Sequence, residues 1–132
     1  MKVVHYTDVE LENVDVEGAK GAKIRWLIGK KDGAPNFAMR MFEVEPGGQT
    51  PFHKHDWEHE MYCLSGKGAV ITERGDIPFS DDDVMYIDPG MMHAFKNIGD
   101  STLKFLCLIP HEMPKVEKKN ANPFADEEAN DC

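Results

Sequence analysis

The sequence predicts a single-domain, all-β protein, and three observations support this. The chain has 132 residues, a length that suits one domain with a modest hydrophobic core. Short segments rich in β-branched and aromatic residues recur about ten residues apart, with glycine and proline between them, a spacing typical of an antiparallel sandwich or barrel. No long stretch carries a helical period of apolar residues.

The candidate strands follow one another along the chain. Residues 24–28 form the first, which Gly29 ends before the turn cluster KKDGAPN, where Asp-Gly and proline disfavour regular structure. The run FAMRMFEVE is the second, and Pro46-Gly47-Gly48 closes it. The others are EMYCLSG, GAVITERG, DVMYID, HAFKNIG and LKFLCLIP, all rich in residues that favour strands.

The composition changes at His111. Residues 111–132 combine prolines and asparagines with many charges, so this segment can bury little surface. We therefore predict a β-domain over residues 1–110 and a polar, flexible tail over residues 111–132. Phe124 is the exception, an apolar side chain able to dock on the domain.

Net charge and cysteine content indicate which binding partners are excluded and in which cellular compartment the protein works. The net charge of −9 argues against nucleic acid and anionic membranes, since both require Lys and Arg against phosphate. The start, MKVVHYTDVELENVD, lacks the apolar core of a secretory signal. Cys63, Cys107 and Cys132 form no C-x-x-C motif, which indicates a reducing compartment. The sequence thus predicts a cytoplasmic protein with a small-molecule partner.

Histidines and acids crowd the segment QTPFHKHDWEHEMYCLSGKG. In a strand, His53 and His55 would point the same way, and a bend after them would return His59 or Glu60 to the same point. His93, in DPGMMHAFKN, is the obvious supplier of a further group. Neutral imidazole is the commonest protein ligand for transition metals, so four histidines, or three and a carboxylate, would hold one. Surface histidines in a polar loop are the alternative.

The same segment resembles the first motif of the cupins, over residues 47–68. Gly47 is the first glycine, His53 and His55 form the H-x-H, Glu60 stands at the acid position, and Gly66 ends the hairpin. Residues 82–97 resemble the second motif, through Pro89-Gly90, His93 and Asn97. Two departures concern turn geometry: Asp82 or Asp83 replaces a glycine, and the proline directly precedes Gly90. The resemblance extends over roughly residues 20–110.

A narrower resemblance is to small, single-domain cupins that bind manganese through four histidines. Their H-x-H-P-W-E-H-E pattern matches residues 53–60, with Asp56 in place of proline. This resemblance implies a double-stranded β-helix, or jelly-roll barrel, with the metal inside. Manganese is favoured, and Fe, Ni, Cu or Zn would also be accepted. The implied ligands are His53, His55, His59 and His93. The general cupin pattern would use Glu60 in place of His59, and alternation does not decide, since both faces of MYCL are apolar.

Strand alternation predicts what else lines the barrel. Arg40 should point inward, where it would bind a substrate anion or form a structural salt bridge. Cys107 should also point inward, near the metal or as a buried packing thiol. Leu106 and Leu108 should face outward, which suggests an interface and a homodimer. Trp57 should pack at the cavity rim.

Three functions are compatible with these residues. The first is a metal-dependent oxidoreductase of the dioxygenase type acting on a small molecule, with Arg40, Glu60 and Cys107 as candidate catalytic residues. The second is a non-redox isomerase or lyase in which the metal acts as a Lewis acid. The third is a metal-loaded binding protein without catalysis. Cupins do all three, so the resemblance alone does not decide.

Overall fold

The structure, a computed structural model, describes residues 1–111 of the chain. The predicted tail therefore lies outside the described residues except for His111, and so does the proposed docking of Phe124. Within the described part there are two 3₁₀ turns, Tyr6–Asp8 and Lys30–Asp32, and nine strands. The strands are β1 (Glu12–Asn13), β2 (Lys20–Ile28), β3 (Phe37–Gln49), β4 (His59–Ser65), β5 (Lys67–Thr72), β6 (Gly75–Ser80), β7 (Val84–Ile87), β8 (Ala94–Asn97) and β9 (Leu103–Pro110).

All nine strands belong to one antiparallel, curled sheet, which confirms the predicted all-β jelly roll. The strand order is β6-β5-β8-β3-β9-β4-β7, and β2 pairs with β3 while β1 pairs with β2. The order differs from the chain order because β3 joins the two halves: its first part lies between β2 and β9, and its last residue, Gln49, pairs with Lys96 of β8. No helix within residues 1–111 is long and apolar enough to cross a membrane.

The chain bends within β3 where the sequence predicted that the strand would end. Pro46-Gly47-Gly48 does not close the strand, which continues to Gln49. Gly47 has a φ of 81°, a backbone region that favours glycine. A Cβ atom on Gly48 would lie 2.5 Å from the carbonyl oxygen of Lys20. The prediction of a stop was wrong because both glycines permit a bulge, across which β3 changes partners.

Strand β6 was missed by the sequence analysis. Pro78 interrupts its pattern, and proline cannot donate a hydrogen bond to a neighbouring strand. In the structure β6 lies at the edge of the sheet and pairs only with β5 in the strand order, with Pro78 opposite Ala69. An edge strand tolerates proline, so the presence of Pro78 agrees with the position of β6 at the edge of the sheet.

The inward-facing rows of β3 and β9 build the core in layers. Val44 pairs with Leu103 and Phe42 with Phe105, and all four side chains are fully buried. The rings of Phe42 and Phe105 stack with centroids 5.3 Å apart. Burial of one such ring contributes about 1.5–3 kcal/mol to stability. These apolar layers fill one end of the barrel, and the next layers, Arg40 with Cys107 and Ala38 with Ile109, lead to the other end.

Candidate metal centre

A loop, and not a strand, presents the first two histidines. His53 forms an isolated antiparallel bridge with His93: the amide of each donates to the carbonyl of the other, at 3.1 and 2.9 Å. The amide of Gly90 donates to the carbonyl of His55 at 2.7 Å. The strand expected over His53 and His55 is therefore absent, although the two side chains do meet as expected. Backbone contacts with the turn before β8 hold this loop in place.

Three of the predicted ligands converge in the structure. One possible ligand atom from each of His53, His55 and His93 lies within 4.8 Å of the other two. The three ring centroids are separated by 5.1 to 5.3 Å, with the ring planes strongly inclined. Imidazoles that meet edge-on in this way direct nitrogen atoms at a common point, as a metal site requires.

Backbone carbonyls fix the tautomers of two of these rings. Nδ1 of His55 donates to the carbonyl of Trp57 at 3.1 Å, and Nδ1 of His93 donates to the carbonyl of Met91 at 2.8 Å. A carbonyl only accepts hydrogen bonds, so the proton resides on Nδ1 and the Nε2 atom carries the lone pair. This is the arrangement found around metal-ligating histidines. No motif in the sequence indicates these contacts.

His59 lies directly beside the three-histidine group. It begins β4, is fully buried, and its Nε2 atom is 3.1 Å from Nε2 of His55. Its ring centroid is 4.7 Å from that of His55 and 5.1 Å from that of His93. Two neighbouring ligands on a metal with bonds of about 2.1 Å would be about 3 Å apart. His59 is therefore close enough to the three-histidine group to be a candidate fourth ligand.

Glu60 points away from the histidines. The strand alternates, so His59 is buried while Glu60 is exposed and pairs across the outer face with Tyr86 and Leu108. Desolvation raises the pKa of the Glu60 carboxyl, and a hydrogen bond and repulsion from Glu58 raise it further. The alternation that was ambiguous from the sequence is thus resolved, with the carboxylate on the face opposite to the imidazoles.

Arg40 and Cys107 form a buried polar link to His59. Both are fully buried, as alternation predicted. Nη2 of Arg40 lies 3.1 Å from the Sγ atom of Cys107, and that sulfur lies 3.1 Å from Nδ1 of His59. The guanidinium also lies over the rings of Trp26 and Phe42, at 5.4 and 5.1 Å from their centroids. The sequence predicted that Arg40 would bind an anion or form a salt bridge, and it did not predict this contact with sulfur.

A cavity of about 410 Å³ opens beside the histidines. Trp26, Ala38, Ile109 and Trp57 are among the residues that line it, and the indole of Trp57 also stacks on His55. The indole Nε1 of Trp57 is buried and has no hydrogen-bond partner among the residues that the structure describes. Trp57 thus lies at the cavity, as predicted, and connects it with the histidines. No pattern in the sequence indicated that Trp26 lines this cavity.

The N-terminal segment contributes the outer wall of this cavity. Val4, Val9 and Lys2 line it. The ammonium of Lys2 contacts the carboxylate of Asp32 and the carbonyl of Leu27, at 2.8 and 2.9 Å. Nη1 of Arg25 donates to the carbonyl of Val9 at 2.6 Å. These contacts tie the N-terminal segment to β2 and to the turn at Lys30–Asp32 beside the cavity, and no motif in the segment indicates them.

Comparison with known proteins agrees with this architecture. The family model described as the cupin domain matches residues 40–109, which include the three-histidine group and His59. The chain belongs to the cupin family. Because the matched region runs from β3 into β9, it contains both strands that carry Arg40 and Cys107.

Several relatives of this cupin have named activities. The polyketide cyclase RemF from Streptomyces resistomycificus is 39% identical, with 89% of this chain and 84% of RemF covered and a TM-score of 0.81. An oxalate-binding protein of Thermotoga maritima is 31% identical over 81% of this chain and 92% of its own. Oxalate decarboxylase OxdC of Bacillus subtilis is 30% identical, and the match covers 76% of this chain but only 27% of OxdC.

Proposed function

We propose that this cupin is a metal-dependent enzyme that binds a conjugated molecule through its carbonyl or enol oxygens and promotes a non-redox reaction of the cyclase or lyase type. The observation that carries the proposal is the position of Trp57, between the histidine centre and a largely apolar cavity. A substrate in this cavity would contact the indole, and its oxygens would reach the histidines past the edge of Trp57, because none of the four histidines lines the cavity.

The proposed ligands are His53, His55, His59 and His93. A divalent metal held by four neutral imidazoles would supply a Lewis acid that keeps its full charge for carbonyl or enolate oxygens. The protein contributes orientation, since backbone carbonyls hold two of the rings. It also limits the access of water, since His59 and His93 are almost completely buried.

The cavity favours a substrate larger than oxalate. Its volume of about 410 Å³ is within the range of sites for small organic molecules. Two indoles and several aliphatic side chains line it together with charged side chains at Lys2, Lys30 and Asp32. The indoles suit a flat conjugated skeleton, and the lysines suit its carbonyl or enol oxygens. The buried Nε1 of Trp57 would donate to an oxygen of the substrate. The relationship to a polyketide cyclase agrees with a substrate of this class.

The alternative functions predicted from the sequence stay open as proposals. A dioxygenase-type oxidoreductase would use the same histidines with Mn or Fe, and manganese remains the favoured metal. A binding protein without catalysis has support from the relative named for oxalate binding. Oxygen consumption during the reaction would favour the oxidoreductase. Ligand binding without turnover would favour the binding protein.

The experiment compares metal forms of the protein with one probe. Protein loaded with Mn²⁺, Fe²⁺ or Zn²⁺ is mixed with 1-phenyl-1,3-butanedione, a conjugated dicarbonyl, while the absorption spectrum and the dissolved oxygen are recorded. The proposal predicts a shifted enolate absorption in all three forms, Zn included, without oxygen consumption, and no shift in His93→Ala. Oxygen consumption by the Mn or Fe form alone would favour the oxidoreductase, and an unchanged spectrum in every form would refute the proposal.

A homodimer and a cytoplasmic location also remain proposals. The outer face of β4 and β7 exposes several large apolar side chains, a surface that another subunit would cover. They are Tyr62, Leu64, Val84 and Tyr86. Sedimentation equilibrium should give a dimer that Tyr86→Lys dissociates, and a wild-type monomer at all concentrations would exclude it.

A further inference from the structure

We propose that Arg40 and Cys107 are positioning residues that orient the imidazole of His59, so that its Nε2 atom faces the metal. The inference rests on the proposed metal site and goes beyond it, since it assigns a role to two buried residues with no direct place among the ligands. It also explains how the one histidine outside the three-residue group is brought into the site.

The contacts form a continuous chain. The guanidinium of Arg40, the sulfur of Cys107 and Nδ1 of His59 are joined by two contacts of 3.1 Å each, and Nε2 of His59 then faces His55 at 3.1 Å. All of Arg40, Cys107 and His59 are fully buried. Since buried polar groups require hydrogen-bond partners from the protein, these two contacts contribute to holding the three side chains in place.

The direction of the first hydrogen bond is fixed by chemistry. A guanidinium has five N–H donors and no acceptor, so the sulfur of Cys107 accepts from Arg40. The sulfur also has lone-pair capacity for a second donor, and Nδ1 of His59 is the group that it contacts. When Nδ1 donates to the sulfur, the lone pair of His59 is on Nε2, the atom directed at the centre.

The pairing of three strands aligns Arg40, Cys107 and His59. Arg40 of β3 and Met61 of β4 are both register partners of Cys107 in β9. His59 lies two residues before Met61, on the same inward face of β4. The rings of Trp26 and Phe42 flank the guanidinium. Because three adjacent strands carry the three polar groups, the orientation of His59 follows from the folded sheet.

His59 differs in this respect from two of the other histidines. His55 and His93 donate from Nδ1 to backbone carbonyls, and no side-chain substitution removes those acceptors. The Nδ1 atom of His59 instead contacts a side chain, so a single substitution can test its orientation. Outer partners of metal-ligating histidines typically change metal affinity by about 10- to 100-fold when removed.

The test compares Cys107→Ala, which removes the acceptor, with Cys107→Ser, which retains an acceptor. Cys63→Ala is the matched control, because Cys63 is also fully buried and on the inward face of β4 but pairs with Phe105. Arg40→Met tests the first contact in the chain. Zinc affinity by competition with a chelator and the number of imidazoles by X-ray absorption are measured on each protein.

We expect four imidazoles in wild type, Cys107→Ser and Cys63→Ala, with affinities within about threefold of one another. We expect three imidazoles and an affinity lower by about 10- to 100-fold in Cys107→Ala. Four imidazoles at wild-type affinity in Cys107→Ala would overturn the inference, and so would an equal loss in Cys107→Ser, which would indicate a packing effect of sulfur.

A second measurement separates this inference from the proposed function. Nitrogen-15 spectra of histidine-labelled, metal-free protein report whether the His59 ring has one orientation. One set of His59 signals in wild type and Cys107→Ser, with doubled signals in Cys107→Ala and Arg40→Met, would support the positioning role even if wild type bound no metal and the proposed function failed. A single unchanged set in all four proteins would contradict the positioning role even if metal binding were established.

Discussion

Trp57 lies flat against the imidazole of His55, with ring centroids 4.1 Å apart and planes 4° from parallel. Its backbone carbonyl also accepts the hydrogen bond from Nδ1 of His55. One residue therefore orients a proposed metal ligand and forms a wall of the cavity. A molecule bound in the cavity would therefore contact the same side chain that orients His55.

Trp57→Phe should weaken ligand binding without removing the metal. The variant keeps an aromatic ring and the backbone carbonyl but loses the indole N–H, which is buried without a partner in the described part of the chain. Loss of one hydrogen bond of about 1–1.5 kcal/mol corresponds to a roughly five- to tenfold higher dissociation constant. Titration with 1-phenyl-1,3-butanedione measures this, with zinc content as the control. An unchanged dissociation constant would exclude the proposed donor role.

His59→Gln and Glu60→Gln form a matched pair of neighbouring substitutions. Since His59 faces inward and Glu60 outward, the first should lower metal affinity by about tenfold or more, because the loss of a ligand costs at least as much as the loss of an outer partner. The second should leave metal affinity unchanged. Chelator competition measures both affinities. The reverse result would mean that the carboxylate, and not the imidazole, is the ligand.

Phe42→Ala should strongly destabilise the fold. The ring is fully buried and stacks on Phe105, and removal of such a ring typically costs about 3–5 kcal/mol of unfolding free energy. Phe37→Ala in the same strand is the control, because Phe37 is 50% exposed. Urea unfolding should show a change below about 1 kcal/mol for the control. Equal losses in the two variants would contradict the layered core.

Cys63 should make the folded state less stable at high pH. Burial, and then the charges of Asp81 and Asp83, raise the pKa of its thiol from 9.0 to about 11. The folded protein therefore binds more protons than the unfolded chain between these values, so the unfolding free energy should fall as pH rises through this window. Urea unfolding from pH 8 to 11 should show a smaller fall in Cys63→Ala than in wild type. Identical slopes would show that the thiol titrates normally in the folded protein.

Much of the fold could be predicted because local chemistry determines it. Glycine and proline clusters separate most of the strands, and alternation correctly oriented Arg40 and Cys107. The errors arose where long-range pairing overrides local preference: β3 continues through Pro46 because a bulge lets it change partners, and β6 includes Pro78 because it is an edge strand.

The sequence predicted which histidines form the candidate site but not the contacts that orient their rings. The spacing of His53, His55 and His93 indicated a cluster, and the structure brings those three together. Their tautomers depend on carbonyls whose position follows from the folded loop. The link between Arg40 and His59 joins residues from different strands, and no sequence spacing encodes such a contact.

The proposed metal site is tested most directly by the metal content of protein purified without chelator or affinity tag, measured by mass spectrometry beside His93→Ala. We expect about one transition-metal ion per chain in wild type, held by the four proposed histidine ligands, and its loss in a variant that remains folded. A folded wild-type protein that contains no metal, and takes up none when Mn²⁺, Fe²⁺ or Zn²⁺ is supplied, would contradict the proposed site.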